Sequence, residues 1–127
     1  MQPKKVLVID DSKLIHKMFE VMLRPYSLVH ALDGLEGLER LQEHSDIDLI
    51  LLDINMPNMD GLEFLHEVKW TPTVSDIPVI IVSSAGREED TTRGLEAGAV
   101  AYIKKPFRGE EILEVIDRLS PDRSSGQ

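Results

Sequence analysis

Asp10 and Asp11, Asp53, the serines Ser83 and Ser84, and the lysines Lys104 and Lys105 share one setting: each group follows directly on a short apolar run. The runs are VLVI (6–9), LILL (49–52), VIIV (79–82) and AYI (101–103). A carboxylate delivered by such a run to the edge of a core must be solvated, paired or metal-bound, because an unpaired buried charge is costly. Three carboxylates drawn together also repel, by roughly 3 kcal/mol for a pair about 5 Å apart at an effective dielectric of ~20. A hard divalent cation and a lysine ammonium relieve that repulsion. Oxygen ligands without histidine or cysteine suit Mg2+ or Mn2+ better than zinc. In such a site a carboxylate can act as a nucleophile toward phosphorus and form an acyl phosphate. Cations neutralise the transferred oxygens, and serine and lysine donate hydrogen bonds to them. No base is required, because aspartate is already ionised at neutral pH. Taken singly, each residue has a plainer explanation, since acids after strands often cap helices and lysines are mostly solvated. The joint pattern favours the shared site.

The runs that carry these groups read as strands. With LVHAL (28–32) they make five, and segments of helical spacing separate them. Leu14, Ile15, Met18, Phe19, Met22 and Leu23 mark one face of a first helix that Pro25 brings to an end; Leu35, Leu38 and Leu41 mark a second after Asp33-Gly34. Leu62, Leu65 and Val68 mark a third, and Ile112, Val115, Ile116 and Leu119 a last one. The fourth, around residues 87–97, is poor in apolar residues. Strict alternation of strand and helix predicts βα units, hence a parallel sheet covered on both faces, and near-continuous apolar strands agree. In such a sheet all the chemistry-bearing strand ends lie on one edge, where open α/β sheets place their ligands. The four residue groups therefore converge.

The chain has 127 residues, enough for one domain with a single core. Its 14 basic and 23 acidic residues give a formal net charge of −9, which argues against nucleic acid or an anionic membrane as direct partners. There is no cysteine, which excludes disulfides and thiolate chemistry and suits a reducing cytosol. The apolar run near the N-terminus is too short for a signal peptide or a membrane span, and the expectation is a cytoplasmic domain. His16, His30, His44 and His66 lie in separate elements without metal-ligand spacing and are expected in surface or core roles. Trp70 is expected to pack at the exit of the third helix.

In order and spacing, VLVIDDS, LILLDINMPNMDGLEF, VIIVSSA and AYIKKPF resemble the receiver domains of two-component response regulators, including the single-domain chemotaxis type, from about Lys5 to Leu119. The resemblance implies a flavodoxin-like (βα)5 doubly wound α/β fold, its five-stranded parallel sheet in order 2-1-3-4-5 with helices on both faces. It implies that Asp53 is the phospho-acceptor, and that Asp10, Asp11, Asp53 and the backbone carbonyl of Asn55 hold Mg2+, with Mn2+ as a substitute. Lys105 would pair with the phosphoryl group; it is chosen over Lys104 because it directly precedes Pro106-Phe107, and alternation aims only one of two neighbours at the site. Ser84, followed by Ala85, matches the switch hydroxyl, a position more often threonine. Tyr102 resembles the aromatic switch residue, and its ordinary alternative is a half-buried strand tyrosine. A cis peptide before Pro106 is also implied.

The implied partners are a sensor histidine kinase or phosphotransfer protein, and a downstream protein or effector domain at the surface of helix 4, strand 5 and helix 5. The receiver would take residues 1–120, with 121–127 as a tail or the start of a linker, and would be a switch rather than an enzyme. Two rivals are a degenerate receiver that binds partners without phosphorylation and a haloacid-dehalogenase-type phosphatase. The first usually lacks an acid, the hydroxyl or the lysine, all present here. The second typically needs a general acid two residues after the nucleophile, where this chain has Asn55.

Overall fold

The computed structural model describes residues 5–54, 61–84 and 88–119. Within them strands and helices alternate as expected: β1 Lys5–Ile9, α1 Lys13–Met22, β2 Ser27–Ala31, α2 Gly34–Glu43, β3 Leu49–Leu52, α3 Gly61–Lys69, β4 Val79–Ser83, α4 Glu88–Glu96, β5 Ala101–Lys104 and α5 Gly109–Leu119. All strand pairs are parallel, and the sheet order is β2-β1-β3-β4-β5. The sequence reading placed β2 one residue late and ended β4 at Val82; the strand in fact continues through Ser83.

Two apolar layers flank the sheet. Val6, Val8, Leu49, Leu51, Ile80, Val82 and Ile103 face Phe19 and Leu23 near α1 and Ile112 and Ile116 of α5. On the other face Leu7, Ile9, Ile50, Leu52, Val79 and Ile81 meet Leu41 of α2 and Phe64, Leu65 and Val68 of α3. Gly94 brings α4 onto this second face against Ile81 and Tyr102. Handedness explains the division. Crossovers between parallel strands are right-handed, so reversing the direction of travel across the sheet moves the connecting helix to the opposite face. The chain steps outward from β1 to β2, then returns past β1 to β3 and continues to β5. The reversal leaves β1 and β3 adjacent, with their following segments diverging, and the carboxyl ends of these two strands carry Asp10 and Asp53.

Local chemistry ends the elements where the site needs them to end. The Ser12 hydroxyl accepts from the backbone N–H of Ile15 and starts α1 two residues after Asp10. Asp33 caps α2 by accepting from Glu36 N–H at 2.9 Å, while Glu36 reaches back to Leu32 N–H at 2.9 Å. Gly98, at φ +114°, provides the left-handed residue that closes the turn after α4. No helix among the described residues is long and apolar enough to cross a membrane.

Candidate functional site

Backbone hydrogen bonds extend the ladder just past the strand ends and so fix the site. Asp10 N–H donates to Ala31 O at 3.1 Å, Asp53 N–H to Ile9 O at 2.9 Å, and Lys105 N–H to Ser83 O at 2.9 Å. The side chains of Asp10, Asp53 and Lys105 are therefore presented from a rigid sheet edge rather than from free loops. Phe107 stacks on Phe19 with ring centroids 5.4 Å apart, tying the segment after Lys105 to α1. The peptide between Lys105 and Pro106 is cis, as the resemblance implied.

Asp10 and Asp53 are buried, at 3% and 6% exposure, so their charges depend on local partners. Lys105 Nζ donates to Asp10 Oδ2 at 2.6 Å and stands 3.6 Å from Asp53 Oδ2. Asp10 Oδ1 accepts from the backbone N–H of Ser12 at 2.9 Å. Burial pushes the Asp10 carboxyl above its ordinary range, and Asp53 adds to that push, while Lys105 and the Ser12 N–H pull it back. Asp10, Asp11 and Asp53 each place a carboxylate oxygen within 4.8 Å of the others, with Asp11 exposed at the mouth. This donor set fits a hard divalent cation: three carboxylate oxygens converge, the Asp11 carboxylate is exposed, and no softer ligand joins them among the described residues.

The structure thus brings together Asp10, Asp11, Asp53 and Lys105. Lys104 is exposed, in agreement with the choice of its neighbour. Tyr102 is half-buried on β5, packed against the core layer that holds α2 and α3, with α4 lying over it at Gly94. Asn55 lies outside the described residues, as does the segment 120–127. At the serines the geometry corrects the expectation for Ser84: the hydroxyl that donates to Asp53 Oδ1, at 2.8 Å, belongs to Ser83, which is fully buried because β4 runs one residue beyond the apolar run VIIV. Ser84, the next residue, is exposed. The signal that could have pointed to Ser83 is its place directly after VIIV, where one more strand residue puts it in the core.

Two other placements differ from or extend the sequence reading. Trp70, expected to pack, is 76% exposed; its ring lies 6.0 Å from that of His66 at the end of α3. His16 and His30 form a pair, Nδ1 to Nδ1 at 2.6 Å, and His16 Nε2 lies 2.7 Å from the Asp10 carbonyl oxygen. A carbonyl only accepts, so His16 carries its proton on Nε2 and, when neutral, accepts from His30. Burial and the neighbouring His16 push the His30 pKa below its ordinary value, against the pull of Glu20.

Comparison with known proteins places this geometry. The family model described as the response regulator receiver domain matches residues 6–117. A gliding motility regulatory protein of Myxococcus xanthus is 41% identical over 119 residues, covering 91% of this chain and 15% of that protein. The phosphate regulon transcriptional regulatory protein PhoB of Escherichia coli is 36% identical over 124 residues, covering 93% of this chain and 54% of its own length. The chain thus spans about half or less of these relatives. Among solved structures, the chemotaxis protein CheY4 of Vibrio cholerae superposes with a TM-score of 0.85 at 32% identity, covering 92% of this chain and 98% of that one. The Mn(2+)-bound form of response regulator Rcp1 gives a TM-score of 0.75 at 29% identity, covering 90% and 89%. A family match over nearly the whole described chain, joined to the sheet order and the clustered carboxylates, settles the relationship: this chain belongs to the receiver domains of two-component response regulators.

Proposed function

We propose that Asp53 accepts a phosphoryl group from the phosphohistidine of a sensor kinase or phosphotransfer protein, and that the resulting charge switches a partner-binding surface. The observation that carries this reading is the position of Lys105, whose ammonium lies between two buried carboxylates at 2.6 and 3.6 Å. Transfer forms a bond from an Asp53 carboxylate oxygen to phosphorus and breaks the donor's P–N bond, whose electron pair leaves with the imidazole. The donor would approach from the side of exposed Asp11.

The cation would be Mg2+, held by Asp10, Asp11 and Asp53 with the Asn55 carbonyl; Rcp1, a related receiver, is known in an Mn2+-bound form. When bound it supplies positive charge to the oxygens of the transferred group. Lys105 supplies the second cation. Before transfer it is held by Asp10; afterwards the phosphoryl group, carrying about −1.5 to −2 charges, competes for it and draws the ammonium toward residue 53. Ser83, whose buried hydroxyl already donates to Asp53 Oδ1 at 2.8 Å, supplies the switch hydroxyl in place of exposed Ser84, and Tyr102 moves with it against α4. The shift selects between pre-existing arrangements of α4, β5 and α5, the surface read by a downstream protein or effector domain. The chain itself acts as a switch rather than a turnover catalyst, without direct contact to nucleic acid or membrane, in keeping with its charge of −9.

The test is intact-protein mass after treatment with acetyl phosphate, with and without Mg2+. The expected result is a gain of one phosphoryl group that requires Mg2+ and is lost in Asp53→Asn. A folded wild type that stays unlabelled beside a control receiver that labels would favour a phosphorylation-independent binding module.

A further inference from the structure

Trp70 directly follows α3, and its backbone N–H donates to His66 O at 3.1 Å, so the helical spacing carries through to it. Glu63, His66, Glu67 and Trp70 are thus spaced i, i+3, i+4 and i+7 and form one exposed stripe on the helix. With Leu62 the first three line an open cleft, and the Trp70 ring stands 6.0 Å from that of His66. At 76% exposure, Trp70 is the most exposed large apolar side chain among the described residues.

Three features of this stripe work against the isolated domain. A tryptophan left in water forgoes the burial that its large apolar surface would gain. Two carboxylates at i and i+4 repel. Glu67 also lies in the last turn of α3, where the negative end of the helix dipole disfavours a further negative charge. Lys69 of that turn is directed elsewhere, its ammonium donating to Ser75 O at 3.1 Å and its stem lying over Gly98. One kind of occupant reverses all three: cationic side chains that stack on the indole face and pair with the carboxylates.

We propose that this face of α3 docks an arginine-bearing segment of a partner protein, with one guanidinium stacked on Trp70 and others on Glu63 and Glu67. Charge complementarity selects this occupant. A second copy of the chain meeting the same face would set carboxylate against carboxylate, and an anionic membrane would be repelled by a net charge of −9. Trp70 lies roughly 13 Å along the helix from Gly61, the residue that packs against Asp53, so the stripe ends well away from the carboxylate cluster. Docking here does not require Asp53 to accept a phosphoryl group.

The probe is a blocked, alanine-based helical peptide with arginines at i, i+3 and i+7, titrated into the 15N-labelled full chain with Mg2+ present and its affinity measured by calorimetry. A peptide with glutamates at the same positions is the control. The arginine peptide should bind saturably, shift the amide signals of residues 62–70 and the Trp70 indole N–H, and change the fluorescence of this single tryptophan; the glutamate peptide should do none of these. Trp70→Ala leaves the net charge at −9, yet should weaken binding at least roughly tenfold, as removal of a central tryptophan anchor does. Glu67→Gln should weaken it about threefold and lessen its salt dependence. Both side chains are exposed, so both variants should keep the fold. Equal affinity in Trp70→Ala, shifts confined to the neighbourhood of Asp11, or no saturable binding would overturn the proposal. So would concentration-dependent shifts of the α3 signals without peptide, which would make a second copy the occupant.

Discussion

At the scale of single residues the site is a problem of charge. Asp10 is held by Lys105 and by a backbone N–H, yet burial outweighs both and its carboxyl stands above the ordinary range. The sign follows from proton linkage. A raised folded pKa means the native state keeps this proton to higher pH than the unfolded chain, so the group's stabilising contribution is full below 3.8 and is lost as pH rises through the folded value. Above that window, charged Asp10 weakens the metal-free fold. Asp10→Asn, which resembles the neutral acid in shape, should therefore raise the urea midpoint of the metal-free protein at pH 7. That gain should shrink as pH is lowered toward 3.8. A lower midpoint at pH 7 would mean that the lost pairing with Lys105 outweighs the relief. The choice of Lys105 over Lys104 was legible in the sequence because Pro106 and Phe107 mark the register. The hydroxyl of Ser83 was not, since facing at a strand's last residue depends on where the strand stops, and the apolar run VIIV ends one residue before β4 does.

At the scale of elements, Asp53 is placed by close packing behind it. Gly61 opens α3 and donates its N–H to Ile54 O at 3.1 Å. A β-carbon there would lie 2.5 Å from the Asp53 carbonyl oxygen and closer still to Ile54 Cα, both backbone atoms that cannot rotate aside. Gly61→Ala should cost about 1–3 kcal/mol of stability through overpacking, read by urea denaturation. It should also slow labelling by acetyl phosphate by at least roughly tenfold, because small displacements of a reacting group are costly. Near-normal labelling would show that α3 can shift without moving Asp53. The strands and four of the helices were readable from periodicity, because their apolar faces meet the sheet. α4 was the least distinct: its mean composition is polar, and its position depends on Gly94 against Ile81 rather than on a stripe of large apolar residues. The His16–His30 contact was invisible for a related reason. It joins α1 to β2, and no spacing along the chain encodes a pairing created by tertiary packing.

At the scale of the whole molecule, topology performs the assembly. Asp10, Asp53, Ser83 and Lys105 come from the ends of four strands, and only the order β2-β1-β3-β4-β5 sets those strands side by side. Apolar layers on both faces hold the edge rigid, so the repulsion between buried carboxylates is sustained by the fold and relieved by lysine and cation. On the proposed function, this edge makes Asp53 a phosphoryl acceptor. The most direct test is chemical mapping: treat the protein with acetyl phosphate and Mg2+, reduce with borohydride, which converts an aspartyl phosphate to homoserine, and locate the product by peptide mass spectrometry. The expected product is homoserine at position 53 alone. Homoserine at position 10 or 11, or none in a protein that has gained a phosphoryl group, would contradict it.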